Sequence, residues 1–217
     1  SEMEKENVPL WSLESLSPLR EFDFVGFTLQ YELSYTNILN MLKLSGIPLR
    51  AADRDDTYPL IVGGGPCACN PEPRADVLDL FVLGEAEEVL PELINLYRQW
   101  RKTGEGRDKL LLDATKIEGI YVPSLYTVTY HSDGRVEAIT PLKGAPALVR
   151  KRIISDLNKI YYPKDYIVPF LDIVHDRILL EIMRGCIRGC RFCQAGFLYR
   201  PLREKESDTL DDQALCL

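Results

Sequence analysis

The sequence contains no uninterrupted apolar run of 18 residues or more, which excludes an ordinary membrane-spanning helix. No secretory signal peptide is visible in it either. Histidine is scarce. His131 falls in a predicted turn and is expected to be idle, and His175 is expected to form structural hydrogen bonds. The six cysteines are therefore the main candidates for ligand chemistry, and free clustered cysteines predict a reducing compartment, the cytoplasm.

The chain has 217 residues, 46% of them hydrophobic, which suffices for one large domain or two small ones. Its charge is uneven: residues 1–146 carry a net charge of −9, residues 147–205 carry +6 and residues 206–217 carry −4. The basic segment suits an anionic ligand or RNA. An ordinary solvated surface is the preferred interpretation, because no aromatic residues are interleaved with the basic ones.

Hydrophobic periodicity predicts alternating strands and helices in the first half of the chain. Apolar runs at 22–29, 60–62 and 79–83 are typical of buried strands. Apolar residues at helical spacing predict helices over 31–45 and 86–97, the first ended by Gly46. This order predicts an α/β fold with a parallel sheet, whose ligands bind at the carboxyl ends of the strands. Those ends are at 28–29, 63–65 and 84–85.

The glycine-rich stretch 63–68 superficially matches a dinucleotide-binding motif, and we reject that interpretation. The motif requires a helix that begins at once, whereas prolines at 66, 71 and 73 predict an extended chain. Cys67 and Cys69 lie in this stretch and are predicted to be structural thiols, because no histidine flanks them as a further ligand.

The second half of the chain has a different pattern. Residues 121–140 are predicted to form a hairpin, 143–164 a basic connector, and 177–183 a strand that leads into three cysteines. Ser207 or Asp208 is placed to cap a last helix. These features divide the chain into an α/β domain at 1–106, a hairpin and connector at 107–170, and the start of a (β/α) barrel domain at 171–217.

Cys186, Cys190 and Cys193 form the pattern C-x3-C-x2-C. A loop this short can point three sulfurs into one small volume, and thiolates select iron–sulfur clusters or zinc. Three thiolates leave one iron of a 4Fe–4S cluster open for a non-protein ligand. A zinc site completed by a distant ligand is the alternative. Cys216 lies outside this spacing and is not predicted to be a ligand.

The residues around the cysteines also suit a cluster. Gly185 and Gly189 allow the backbone to approach an inorganic core closely. Arg184, Arg188 and Arg191 can offset the negative charge of a thiolate-ligated cluster.

The cysteine spacing, with the aromatic Phe192 before the third cysteine, resembles the radical S-adenosylmethionine (SAM) superfamily. The resemblance implies that SAM chelates the open iron and that the backbone of Phe192 lies beside the adenine. It further implies that one electron from the cluster cleaves SAM to methionine and a 5′-deoxyadenosyl radical, which acts on an unidentified substrate. A flavodoxin or ferredoxin would supply the electron.

Longer stretches, at 22–42, 61–88 and 173–204, resemble radical SAM proteins with an N-terminal cobalamin-binding-type domain. The likeness is to the subgroup in which Gln-Ala-Gly and Arg-Pro-x-Arg follow the cysteines, here at 194–196 and 200–203. It implies a partial Rossmann-like domain followed by the first strand and cluster loop of a radical SAM barrel, and hence a fragment of a longer protein.

Cobalamin is a third candidate cofactor by the same resemblance, although the cobalt-coordinating Asp-x-His-x-x-Gly motif is absent. Ala86 also replaces a glycine of the family's usual turn. Cobalamin would then be held without a histidine on cobalt, through the backbone of six residues: Thr28, Leu29, Gly63, Gly64, Gly84 and Glu85.

Three functional hypotheses remain open at this point. The first is a piece of a radical SAM enzyme, which is inactive alone because most of the barrel is missing. The second is a non-catalytic binding module whose cysteine loop holds structural zinc or an iron–sulfur cluster. The third is a radical SAM enzyme that modifies RNA, which the basic segment permits and the acidic remainder does not support.

Overall fold

The computed structural model describes residues 2–163, 170–171, 174 and 179–216. The chain divides into two units, the first ending at Arg152 and the second beginning at Ile153. Within the described ranges, none of the helices has the length and apolar composition that crossing a bilayer requires. His175 and the first residues of the strand predicted at 177–183 lie outside the described residues.

The first unit contains α-helices and β-strands in alternation. Its helices are α1 (Glu2–Lys5), α2 (Tyr35–Leu44), α3 (Ala86–Thr103) and α4 (Arg107–Ala114). Its strands are β1 (Phe24–Thr28), β2 (Leu60–Gly64), β3 (Leu80–Val82), β4 (Ile120–Tyr121), β5 (Tyr126–Tyr130) and β6 (Val136–Pro141).

The central sheet has the strand order β1-β2-β3-β4. The first three strands are parallel, and β4 is antiparallel to β3. The predicted α/β class with a parallel sheet is therefore confirmed, with one antiparallel edge strand added. No α-helix follows β2 in residues 65–75, as predicted from the prolines there. The chain forms short 3₁₀ turns at Pro66–Cys69 and Glu72–Arg74, however, and is not extended as expected.

Helices cover both faces of this sheet. Successive side chains of β2 point to opposite faces, so each face of the sheet contributes to a core of its own. Leu60 and Val62 of β2 pack in a core with α3 and α4, whereas Ile61 packs in a second core with α2. The apolar stripe of α2, which includes Ile38 and Leu42, is buried in that second core. The result is a three-layer arrangement that fixes the three parallel strand ends beside one another.

A buried charge cluster joins α4 to the sheet. The Asp79 carboxylate accepts hydrogen bonds from the Arg54 guanidinium at 2.9 Å and from the Ile61 backbone N–H at 2.7 Å. The Arg107 guanidinium, at the first residue of α4, lies 2.9 Å from the same carboxylate oxygen. Asp79 is only 3% exposed, so its charge is compensated by these groups rather than by water.

The first unit extends beyond residue 106, where the sequence places the end of the α/β domain. Gly104 ends α3 in a left-handed conformation, as its linker assignment allows, but α4 begins at once. The predicted hairpin is present as β5 and β6, which pair from Tyr126↔Pro141 to Tyr130↔Val136. Its first predicted residue, Tyr121, instead belongs to β4 of the main sheet.

The second unit contains short elements: a 3₁₀ turn at Leu157–Lys159, β7 (Met183–Arg184), α5 (Ala195–Leu198), β8 (Arg203–Glu204) and α6 (Ser207–Leu215). The predicted last helix is present as α6, but Glu206 occupies its N-cap position, so the predicted capping by Ser207 or Asp208 is wrong. Of the strand predicted at 177–183, the described part forms a strand only at its end, in β7.

Candidate functional site

The three predicted cluster ligands lie in one closed loop. β7 and β8 pair antiparallel, with Met183 opposite Glu204 and Arg184 opposite Arg203. This pairing joins the two ends of residues 185–202, which we call the cysteine loop. The backbone N–H of Lys205 extends the pairing through a 2.9 Å hydrogen bond to the carbonyl of Ile182. Backbone hydrogen bonds therefore fix the base of the loop.

The cysteines themselves are free thiols that differ in exposure. Cys186 and Cys193 are half-buried and Cys190 is exposed. The Cys186 sulfur accepts a hydrogen bond from the Arg188 backbone N–H at 3.4 Å, and the Cys193 N–H donates to the Cys190 carbonyl at 3.1 Å. Across the described part of the chain, no group of three His, Cys, Asp or Glu side chains converges as a metal site. The metal-ligand role of the three thiols stays a prediction.

The two loop glycines have different surroundings. Gly185 has a φ of +99°, and a Cβ placed there would lie 2.8 Å from the Cα of Leu202 and against the Pro201 carbonyl. Its freedom is used for close approach within the chain. A Cβ at Gly189 would meet nothing nearer than an Arg200 guanidinium nitrogen at 4.0 Å, so this side of the loop stays open. Phe192, the predicted adenine neighbour, is 91% exposed.

The six residues predicted to contact cobalamin all lie where β1, β2 and β3 end. Because these strands are parallel neighbours, the fold brings the six to one edge of the sheet. Leu29 is fully buried there, and its N–H donates to the Gly64 carbonyl at 2.7 Å. A Cβ at Gly63 would lie 2.6 Å from the Leu78 side chain. Thr28 is exposed, so the edge offers both covered and open positions.

The remaining two positions, Gly84 and Glu85, are covered by the chain itself. A Cβ on Gly84 would lie 2.8 Å from the Arg152 nitrogen, and the Glu85 N–H donates to the Arg152 carbonyl at 3.1 Å. These backbone groups therefore already have partners at the edge where cobalamin was predicted to bind. Sequence reasoning missed Arg152, because backbone pairing leaves no pattern of side chains to detect.

Cys67 and Cys69 follow the same sheet edge. Burial raises the pKa of the Cys67 thiol, and the Glu32 carboxylate adds to the effect. Burial likewise raises the pKa of Cys69. A thiol with a raised pKa is less often present as the thiolate that binds metals or attacks electrophiles. The structural role of both cysteines stays a prediction.

Comparison with known proteins bears on the class of this chain. Residues 1–123 match the family described as radical SAM proteins, N-terminal. The chain belongs to this family. It is also 30% identical over 207 residues to an uncharacterized protein of Methanocaldococcus jannaschii. That alignment covers 94% of this chain and 37% of the relative, so the chain spans well under half of the relative's length.

The matched residues of this chain, 1–123, contain the whole four-stranded sheet and its carboxyl edge. The cysteine loop follows the matched region. The resemblance to the radical SAM superfamily seen at the cysteines is therefore supported by a second part of the chain, which contains none of them.

Proposed function

We propose that this chain is part of a radical SAM enzyme in which Cys186, Cys190 and Cys193 hold a 4Fe–4S cluster whose open iron binds SAM. The proposal is carried by the C-x3-C-x2-C spacing within a loop whose ends are joined by β7 and β8. The family match over residues 1–123 supports the same class. In this proposal the first unit is a Rossmann-like accessory domain and the second begins the radical SAM barrel.

The donor set fits such a cluster chemically. Cysteine thiolates are the usual ligands of iron–sulfur clusters, and all three loop cysteines are free. The Arg188 N–H that reaches the Cys186 sulfur is a donor of the kind that tunes cluster potential. When bound, the cluster supplies the electron for reductive cleavage of SAM, delivered by a donor such as a flavodoxin or ferredoxin. The chain's own part is to present the thiolates.

Cobalamin is the weaker candidate cofactor. Two of the six predicted backbone contacts, Gly84 and Glu85, lie against Arg152, so a corrin ring would have to displace this segment to reach them. We therefore propose the cluster and SAM as the cofactors, and leave cobalamin as an alternative to be tested by titration of the purified protein with hydroxocobalamin.

Anaerobic reconstitution with iron and sulfide, followed by electron paramagnetic resonance of the reduced protein, tests the proposal. We expect a 4Fe–4S signal that changes when SAM is added, because SAM would occupy the open iron. A cluster signal indifferent to SAM would contradict a SAM site in this chain. If the protein binds zinc and no cluster, the result contradicts the enzyme hypothesis and favours a structural metal site.

A further inference from the structure

We propose that Arg200 is a positioning residue for the cysteine loop, which holds the segment between Cys186 and Cys190 by a hydrogen bond from the returning chain. The inference rests on the proposed function, because it concerns residues that would present the cluster ligands. Arg200 does not itself belong to the proposed ligand set.

The contact lies at the centre of the loop. The Arg200 guanidinium Nη2 donates to the Arg188 carbonyl oxygen at 3.1 Å. Arg188 is midway between Cys186 and Cys190, and its own N–H donates to the Cys186 sulfur. Arg188 is therefore held at its carbonyl by Arg200, and its N–H contacts the sulfur of a predicted ligand. The Arg200 bond restricts the backbone that carries this N–H.

Helix α5 lies close to both ends of this hydrogen bond. Gly196 approaches the same oxygen so closely that a Cβ there would lie 3.3 Å away. The Arg200 guanidinium also lies over the Phe197 ring, 5.1 Å from its centroid. The carbonyl thus lies between α5 and the Arg200 side chain.

Arg200 is in turn anchored to a buried part of the second unit. Pro201 follows it, and the Pro201 carbonyl accepts a hydrogen bond from Arg203 Nε at 3.2 Å. Arg203 Nη1 donates to the carbonyl of Ile154 at 2.6 Å, and Ile154 is only 3% exposed. The two hydrogen bonds of Arg203 therefore link the chain next to Arg200 to the buried Ile154.

An arginine here could act by charge alone, and the loop offers a matched control. Arg191 lies between Cys190 and Cys193, is exposed, and forms no hydrogen bond or ion pair among the residues that the structure describes. Arg191→Ala and Arg200→Ala each remove one positive charge from the loop. Only Arg200→Ala also removes the bond to the Arg188 carbonyl.

The experiment compares the two variants and the wild-type chain by hydrogen–deuterium exchange in the metal-free protein. We expect peptides covering residues 186–193 to exchange about fivefold faster in Arg200→Ala, as expected for the loss of one hydrogen bond, and to be unchanged in Arg191→Ala. Peptides from α6, which lies in the same unit as the loop, should exchange at the wild-type rate in both, which verifies that this unit is folded. Iron bound after anaerobic reconstitution should fall further in Arg200→Ala than in Arg191→Ala, because both variants lose one positive charge near the cluster and only Arg200→Ala also loses the bond to the Arg188 carbonyl.

Other results would overturn the proposal. Unchanged exchange in Arg200→Ala would show that the bond does not hold the loop. Equal losses of iron in both variants would assign the effect to charge, and normal iron loading in Arg200→Ala would remove its positioning role. If the wild-type protein itself binds no cluster, the proposed function fails, whereas the exchange comparison still tests the contact.

Discussion

Gly84 lies against the backbone of Arg152 at the carboxyl end of β3. The Arg152 N–H donates to the Leu83 carbonyl at 2.8 Å, and the Arg152 carbonyl accepts from the Glu85 N–H at 3.1 Å. These two bonds form a parallel bridge centred on Gly84, which has a φ of +98°. The last residue of the first unit is thereby fixed to the edge of its sheet.

The Arg152 side chain strengthens the same attachment. Its guanidinium donates to Glu88 at 2.8 Å and to Glu92 at 2.7 Å, both on α3. The hydrogen bond with Glu88 raises the pKa of Arg152, so the guanidinium stays charged. Backbone and side chain thus bind one residue to two neighbouring elements.

We expect Gly84→Ala to lower the free energy of unfolding by about 2–3 kcal/mol, since the new Cβ would press on the Arg152 backbone. Gly104→Ala is the matched control: Gly104 also has a positive φ, of +69°, but a Cβ there meets no atom within 4 Å. Its cost should be only about 1 kcal/mol, for the left-handed backbone alone. Urea denaturation measures both, and equal losses would contradict the importance of the Arg152 contact.

Replacing Asp79 by Asn should destabilise the first unit by about 3 kcal/mol, because two buried guanidinium groups would lose their common carboxylate. Asp113→Asn, which removes the carboxylate of surface pairs with Lys109 and Lys116, should cost under about 1 kcal/mol. Thermal unfolding followed by circular dichroism compares the two. A similar cost for both variants would show that the buried cluster contributes no more than a surface pair.

Ionisation of Tyr121 is expected to lower the stability of the folded protein at high pH. Burial, together with its hydrogen bond to Glu72, raises the pKa of Tyr121 above its ordinary value of about 10. A raised pKa in the folded state stabilises the fold at pH below about 10, and this contribution is lost as pH rises through the folded-state pKa.

We therefore expect the unfolding free energy of the wild-type protein to fall more steeply above about pH 10 than that of Tyr121→Phe. Tyr31→Phe, which changes a tyrosine of the same unit that is 55% exposed, should retain the wild-type slope. Chemical denaturation at a series of pH values measures the slopes. Identical slopes in wild type and Tyr121→Phe would refute the assignment.

Elements with a continuous local pattern were predictable from the sequence. The apolar run that gives β1 and the helical stripes of α2 and α3 each identify their element without reference to the rest of the chain. The grouping of the six predicted cobalamin contacts was also predictable, because neighbouring parallel strands end at the same edge of a sheet.

Contacts through the backbone were not predictable. β4 has only two residues, so no period can be detected in it, and α4 directly follows a glycine-rich stretch that is typical of a linker. The bridge from Gly84 to Arg152 and the bond from Arg200 to the Arg188 carbonyl join residues distant in sequence. In each contact the acceptor is a main-chain carbonyl, which every residue has, so the sequence contains no trace of the pairing.

The cysteine motif leads to the last prediction. Alanine at Cys186, Cys190 or Cys193 should abolish most iron and sulfide binding after anaerobic reconstitution, since each removes one of three proposed ligands. Cys69→Ala and Cys216→Ala remove free thiols outside the loop and should leave the iron content unchanged. Iron and acid-labile sulfide per protein are the measurement. Loss of iron in the controls as well would mean that cluster binding is not confined to the loop, and the C-x3-C-x2-C assignment would fail.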